Sequence, residues 1–367
     1  MNVILLIMTL TSISLSILGL FLIFRNMSMT ADAISHTVLL GIVIGFLFVR
    51  DINSPILVIF AAIMGLIMVF ITQKLSEKKL MKNDDALGFI FPLFFSIAVI
   101  IISKYLRNVH IDTEIVLSGE VVFAPFDTIE IFNFEIPKAL LTSIIAIVLN
   151  VLFIAIFYKE LVIATFDENF AKLSNIKTSA LFYALMALIS LNTVIAFDTV
   201  GAILVVSFLI VPAASGYLLT QKLKNTFILT IIIAIIDSFL GYFLAYKFNL
   251  SVSGVTAGIS GIIFLICLLF NREGIFTKIY NTHVLKRQIN LFLVLVHVDN
   301  HKNSIDRFEE LGLNTIYKHL SIKKDVLDHI LKKLIDKEFI KVNEKDQIFE
   351  ITDDGEIFCE RMKKKFI

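Results

Sequence analysis

Only two cysteines occur in 367 residues, Cys267 in an apolar run and Cys359 near the C-terminus. They show neither metal nor redox spacing, which excludes a disulfide framework and argues against a thiolate site for Cu⁺. No GxxxxGK[ST] phosphate loop occurs, so this chain does not hydrolyse ATP. No Ser–His–Asp or HExxH arrangement is visible either, and the chain reads as neither an enzyme nor a cofactor carrier. The formal net charge is +1, which by itself implies no polyanionic partner. A cleavable leader is not expected, because the first apolar run passes directly into further ones and reads as a retained span.

Apolar sequence is abundant. The chain is 57% hydrophobic, with a mean hydropathy of +0.87, well above soluble domains. Nine runs are long enough to cross roughly 30 Å of hydrocarbon. They lie near 3–24, 30–49, 54–73, 86–103, 137–157, 179–197, 201–219, 226–246 and 253–270. The weakest break is between the sixth and seventh, where only Asp198 and Gly201 interrupt. The last 82 residues, 286–367, hold 16 of the 33 basic and 15 of the 32 acidic residues. The expectation is an all-α polytopic membrane domain over 1–275 and a small soluble α+β domain over 286–367.

The polar connections alternate between two sides. One side collects Arg25, Lys74, Lys78, Lys79, Lys82, Lys159, Lys172, Lys177, Lys222 and Lys224. The other collects Arg50, Lys104, Arg107, Lys138 and Lys247. The positive-inside rule places the first set in the cytoplasm, with the N-terminus outside and the tail inside. The long outer connection 104–136 carries Asp112, Glu114, Glu120, Asp127, Glu130 and Glu135. It fits a cation-attracting vestibule and an ordinary solvated loop equally. The inner connection 158–178 contains an acidic start at Asp167, with apolar Phe166, Phe170 and Leu173 at spacings of four and three. That pattern predicts a short amphipathic helix over 167–173, with Asn175 available as a left-handed cap. Such a helix can lie on lipid or dock in a groove of a partner protein; its non-basic polar face weakens the lipid option.

In the tail, 286–298 reads as an apolar helix, and 314–321 and 323–337 as a helix pair. FIKVN and QIFEIT read as a two-stranded wing, and 353–364 as a final helix. This is a winged-helix order. Lys323, Lys324, Lys332, Lys333 and Lys337 alternate with Asp325, Asp328 and Asp336. A protein-contact or regulatory role is therefore favoured over DNA binding.

The stretch SMTADAISHTVLLGIVIG, residues 28–45, places Asp32 and His36 on one helix face, one turn apart, at the head of an apolar run. Ionisable groups inside a span mark functional sites by default, although Asp32 as a helix cap and His36 as an interhelical bond would explain the pair more simply. Asp237, in the middle of the eighth run, faces the same cost. Carboxylate plus imidazole suits Mn²⁺, Zn²⁺ or Fe²⁺. Gly41–Gly45 and Gly254–Gly258 allow close helix approach.

These residues carry a resemblance. RNMSMTADAISHTVLLGIVIGF, GAILVVSFLIVPAASGYLLT, NVHIDTEIVLSGEV and FDENFAKLSNI are similar to segments of the zinc/manganese permease family of ABC importers, over about residues 15–270. The resemblance implies a homodimeric permease in a bacterial plasma membrane. It also implies an extracellular metal-binding protein as donor and cytoplasmic ATPase subunits on the 158–178 segment. Asp32 and His36 would lie in the metal path. Leu40, Asn175 and Asp198 depart from the family's usual proline, glycine and neutral residue. Two other classes fit parts of the sequence: a permease for an iron chelate, and a membrane-tethered winged-helix regulator.

Overall fold

The computed structural model describes residues 2–51, 54–105, 121–131, 134–271, 274–320 and 322–366. The chain divides into two compact units, 1–271 and 272–367.

In the first unit, nine helices among the described residues are long and apolar enough to span a membrane. They are α1 (Asn2–Phe24), α2 (Met29–Val49), α3 (Ile56–Glu77), α4 (Asn83–Tyr105), α5 (Lys138–Ile156), α8 (Thr178–Val200), α9 (Ala202–Leu219), α10 (Leu223–Phe248) and α11 (Val252–Phe270). Two shorter helices, α6 (Tyr158–Phe166) and α7 (Glu168–Leu173), form the connection between α5 and α8. All nine agree with the apolar runs to within a few residues. Helix is the only open-ended element that satisfies its own backbone in hydrocarbon. The narrow break between α8 and α9 is real: Gly201 adopts φ 81°, ψ 161°, a conformation open to glycine and closed to side-chain-bearing residues.

One group of helices packs α2 against α3 and α4, and α3 against α8; the other packs α1 against α5, α9 and α10, with α11 on α9 and α10. The core includes Leu18, Phe21, Ile34, Val38 and Phe208. Helix α5 turns Ile145, Val148, Val151 and Leu152 outward, as a lipid-facing surface requires. Of the small-residue pairs, Gly41 and Gly45 are used. A Cβ at Gly41 would run into the backbone of Phe60 and Ala61 on α3, and one at Gly45 would press on Leu57 and Phe60. Gly254 and Gly258 meet no neighbouring helix among the described residues.

Two features were not foreseen. Residues Thr128–Ile131 (β1) and Phe134–Pro137 (β2) form an antiparallel hairpin in the outer connection, closed by an ion pair between Lys138 Nζ and Asp127 Oδ1 at 2.7 Å. Asp112, Glu114, Glu120 and most of NVHIDTEIVLSGEV lie outside the described residues. The tail helix read over 286–298 extends over Ile275–His301 (α12), because the polar stretch before it offers no helix breaker.

The rest of the second unit comprises α13 (Arg307–Glu310), α14 (Ile316–His319), α15 (Lys324–Asp336), the hairpin β3 (Ile340–Asn343) and β4 (Ile348–Ile351), and α16 (Asp353–Phe366). Val294, Leu295, Val298, Leu311, Ile316, Leu327, Leu334 and Ile340 form its own buried core.

Because Gly41 seats α2 on α3, Gly41→Leu should force the helices apart and destabilise the purified chain by about 1–3 kcal/mol. An unchanged thermal unfolding temperature in detergent would show that this close approach is dispensable.

Candidate metal path

The first turns of α2 follow a tight connection, with Asn26 in the left-handed region at φ 55°. Asp32 and His36 are the fourth and eighth residues of α2. His36 Nε2 lies 3.5 Å from Asp32 Oδ1, and the two side chains are 34% and 50% exposed. That separation suits two ligands of one ion with bonds of about 2.1 Å. The His36 ring stacks on Phe91 at 5.5 Å and meets Phe95 edge-on at 5.8 Å, so α4 holds the imidazole in place. Neighbouring hydroxyls do not compete for an ion. Ser35 donates to the Ala31 carbonyl at 3.0 Å and Thr37 to that of Ala33 at 2.7 Å.

Asp237 sits elsewhere. It is the fifteenth of 26 residues in α10 and fully buried, and neither carboxyl oxygen has a hydrogen-bond partner among the described residues. Ser260 on α11 faces it without bonding geometry, and Cys267 is a further neighbour. Its neighbours Ser260 and Cys267 are on α11, whereas the rings against His36 are on α4, so the structure does not assemble the three into one ligand set. Asp198 is exposed near the end of α8, within electrostatic reach of Asp127 and Lys138.

The end of the bundle that carries Asp32 also carries the 158–178 connection. Arg25, just before α2, donates from Nε to Thr165 Oγ1 at 3.3 Å, and its guanidinium lies 5.5 Å from the Phe182 ring. Burial pushes the Arg25 pKa down, and the nearby Glu168 carboxylate works against that shift. A cavity of about 280 Å³ is lined here by Arg25, Gln73, Glu77, Thr165, Glu168 and Phe182, among others.

The helix expected over 167–173 is α7, with a correction to its apolar stripe. Asp167 is extended (φ −145°, ψ 88°) and caps α7, its Oδ1 accepting from Phe170 N at 2.9 Å. That break places Phe166 at the end of α6, where its ring lies 5.2 Å from Phe24. Phe170 and Leu173 remain on α7, 55% and 87% exposed. Asn175 takes φ 60°. The bonds Ile176 N to Ala171 O (3.0 Å) and Asn175 N to Lys172 O (3.2 Å) close the helix as a Schellman cap.

Sequence reasoning missed a buried polar junction. Ser14 Oγ donates to Asn192 Oδ1 at 2.9 Å, and Asn150 and Asn192 exchange amide bonds of 3.0 Å, tying α1, α5 and α8 together. Three uncharged polar residues scattered through apolar runs carry no spacing signal.

Nine apolar helices among the described residues, with a carboxylate–imidazole pair inside one of them and a short capped amphipathic helix at one end, define a multi-pass transport-type membrane protein. The chain belongs to the ABC 3 transport family, which matches residues 1–271. It is 42% identical over 271 residues to the manganese transport system membrane protein MntD of Bacillus subtilis, covering 73% of this chain and 92% of that protein. It is 34% identical over 317 residues to the zinc transport system membrane protein TroD of Treponema pallidum, covering 86% of each. That overlap is longer than the family region, so part of the tail is shared with TroD. Among solved structures it resembles PsaBC from Streptococcus pneumoniae in complex with Fab. The TM-score is 0.63 and the identity 28%, over 76% of this chain and 94% of the other.

An unpartnered buried carboxyl is destabilising. Asp237→Asn, which removes the charge at constant shape, should raise the thermal stability of the purified chain by about 1 kcal/mol at neutral pH. A fall in stability would show that the carboxylate has a favourable partner.

Proposed function

We propose that this chain is the permease subunit of an ABC importer for a divalent metal ion, with Asp32 and His36 as ligands on the translocation path. The observation that carries the reading is the 3.5 Å carboxylate–imidazole pair inside a membrane helix of an ABC 3 family chain. The relatives support it: they are named for manganese and zinc transport. Partial exposure of both side chains leaves room for an ion to enter and for water or substrate-side groups to complete its coordination. Two ligands held by one helix select a divalent cation yet release it, as conduction requires.

Energy comes from a separate cytoplasmic ATPase seated on α7, whose Phe170 and Leu173 offer a small apolar knob on a rigid, doubly capped helix. The basic connections put α7 and the tail on the cytoplasmic side of a bacterial plasma membrane. An extracellular metal-binding protein delivers the ion at the opposite face, and two copies of the chain form the permease. Asp237 serves as a second polar station rather than as a ligand beside His36. Residues 1–275 are the permease domain. Residues 286–367 are a winged-helix-like cytoplasmic module whose mixed charge favours protein contact over DNA.

Asp32→Ala and His36→Ala should each abolish metal uptake by reconstituted vesicles while leaving membrane insertion and thermal stability intact. Normal uptake by both would overturn the site. Phe170→Asp should prevent co-purification of the ATPase and uncouple transport. Undiminished co-purification would remove α7 from the docking surface.

A further inference from the structure

The second unit gathers histidines around one carboxylate, and one of them, His297, also sets its Nε2 3.2 Å from the Glu310 carbonyl. Three of the seven histidines in the chain, His297, His301 and His319, converge on one carboxylate, Glu310. His297 and His301 are four residues apart near the C-terminal end of α12, and so share a face, the spacing by which paired helical histidines chelate metals. Their rings are 4.7 Å apart. Glu310 ends α13 and His319 ends α14. Glu310 Oε2 lies 3.1 Å from His319 Nδ1 and 3.5 Å from His297 Nε2. One ligand atom from each of His297, His301 and Glu310 falls within 4.8 Å of the others.

The carriers of these groups are fixed from below. Val298 beside His297, Leu311 beside Glu310, and Ile316 on α14 are all buried in the core of the unit. Leu311 is further tied by its carbonyl, which accepts from Phe349 N on β4 at 2.9 Å. The side chains themselves are only partly enclosed, at 12% exposure for His297, 22% for Glu310 and 26% for His319. An ion can therefore reach them without unfolding the unit. A carboxylate needs at most one or two donors. Three imidazoles around a single glutamate match the donor set of a tetrahedral site instead, where ligand atoms stand about 3.4 Å apart for bonds of about 2.1 Å. His319 lies outside that group of three, its ring centroid 6.5 Å from that of His297 and its Nδ1 against Glu310 alone, so it completes the set only by turning its side chain.

We propose that His297, His301 and Glu310, with His319 as the fourth ligand, form a binding site for a divalent transition-metal ion in the tail, separate from the membrane path. Nitrogen-rich ligation with one carboxylate selects Zn²⁺ over Mn²⁺ in affinity. The site gives the soluble unit a means of registering metal. It does not depend on the chain being a transporter.

The test uses the full-length chain purified in detergent, carrying Asp32→Ala and His36→Ala so that the membrane pair cannot contribute. Titration with Zn²⁺ alone should show one saturable equivalent. Adding His301→Gln or Glu310→Gln should weaken it by about tenfold or more, since even outer-shell losses at metal sites reach that size. Absence of saturable binding, or binding unchanged by both substitutions, overturns the site. X-ray absorption of the Zn²⁺-loaded background protein provides a readout that does not rely on the variants folding. At least two imidazoles in the first shell support the site, and fewer overturn it. Zinc or manganese uptake by the unmutated transporter tests the permease reading separately.

Discussion

Hydrocarbon offers no hydrogen bonds, and the long helices of the membrane unit and many of its buried polar side chains answer that deficit. The backbone closes on itself in long helices, and the hydroxyls of Ser35, Thr37, Ser238 and Thr256 bond back to carbonyls one turn earlier. Asn150, Asn192 and Ser14 bond one another across three helices, Asn192 also donating to the Leu188 carbonyl of its own helix. Against that background Asp32, His36 and Asp237 stand out. The first two meet each other and remain accessible; the third is enclosed without a hydrogen-bond partner among the described residues.

Placement of the pair shapes any transport cycle. Asp32 and His36 lie within about three turns of the α2 start. The α2 start shares its end of the bundle with α6 and α7, joined through Arg25 to Thr165 and facing Glu168. An ion arriving from the opposite face would have to descend most of the bundle before meeting them. Conversely, a displacement of α7 has a short mechanical route to the first turn of α2, through Arg25 and the tight connection at Asn26. Under the proposed function, the ligands sit where the energy-coupling element acts most directly.

The tail follows different physics. Its elements are short, and β3–β4 and the α13–α14 segment are held by a compact apolar core rather than by long helices. Charged residues are paired around its surface. Glu350, for instance, is held below the ordinary glutamate range by the Asn343 amide and by Lys341 and Arg307, which outweigh its partial burial. Among the described residues of this unit, histidines gather on Glu310, and Lys302 and Lys363 gather on Asp299.

Much of this was legible in one dimension. Nine spans follow from hydropathy because hydrocarbon length is a hard limit, and the α8–α9 break follows from Gly201 because positive φ excludes other residues. The Asp32–His36 pair is readable because a spacing of four on a helix is itself a spatial statement. The left-handed cap of α7 at Asn175 is readable for the same local reason, whereas Asp167, read as the acidic start of the helix, proves to be its N-cap. Tertiary structure alone decided what depends on distant partners. It placed Phe166 on Phe24, separated Asp237 from the α2 pair, joined Ser14 to Asn150 and Asn192, and brought His319 to Glu310. Each of those contacts links residues on different elements, and which elements become neighbours is set by helix packing, to which sequence spacing gives no key.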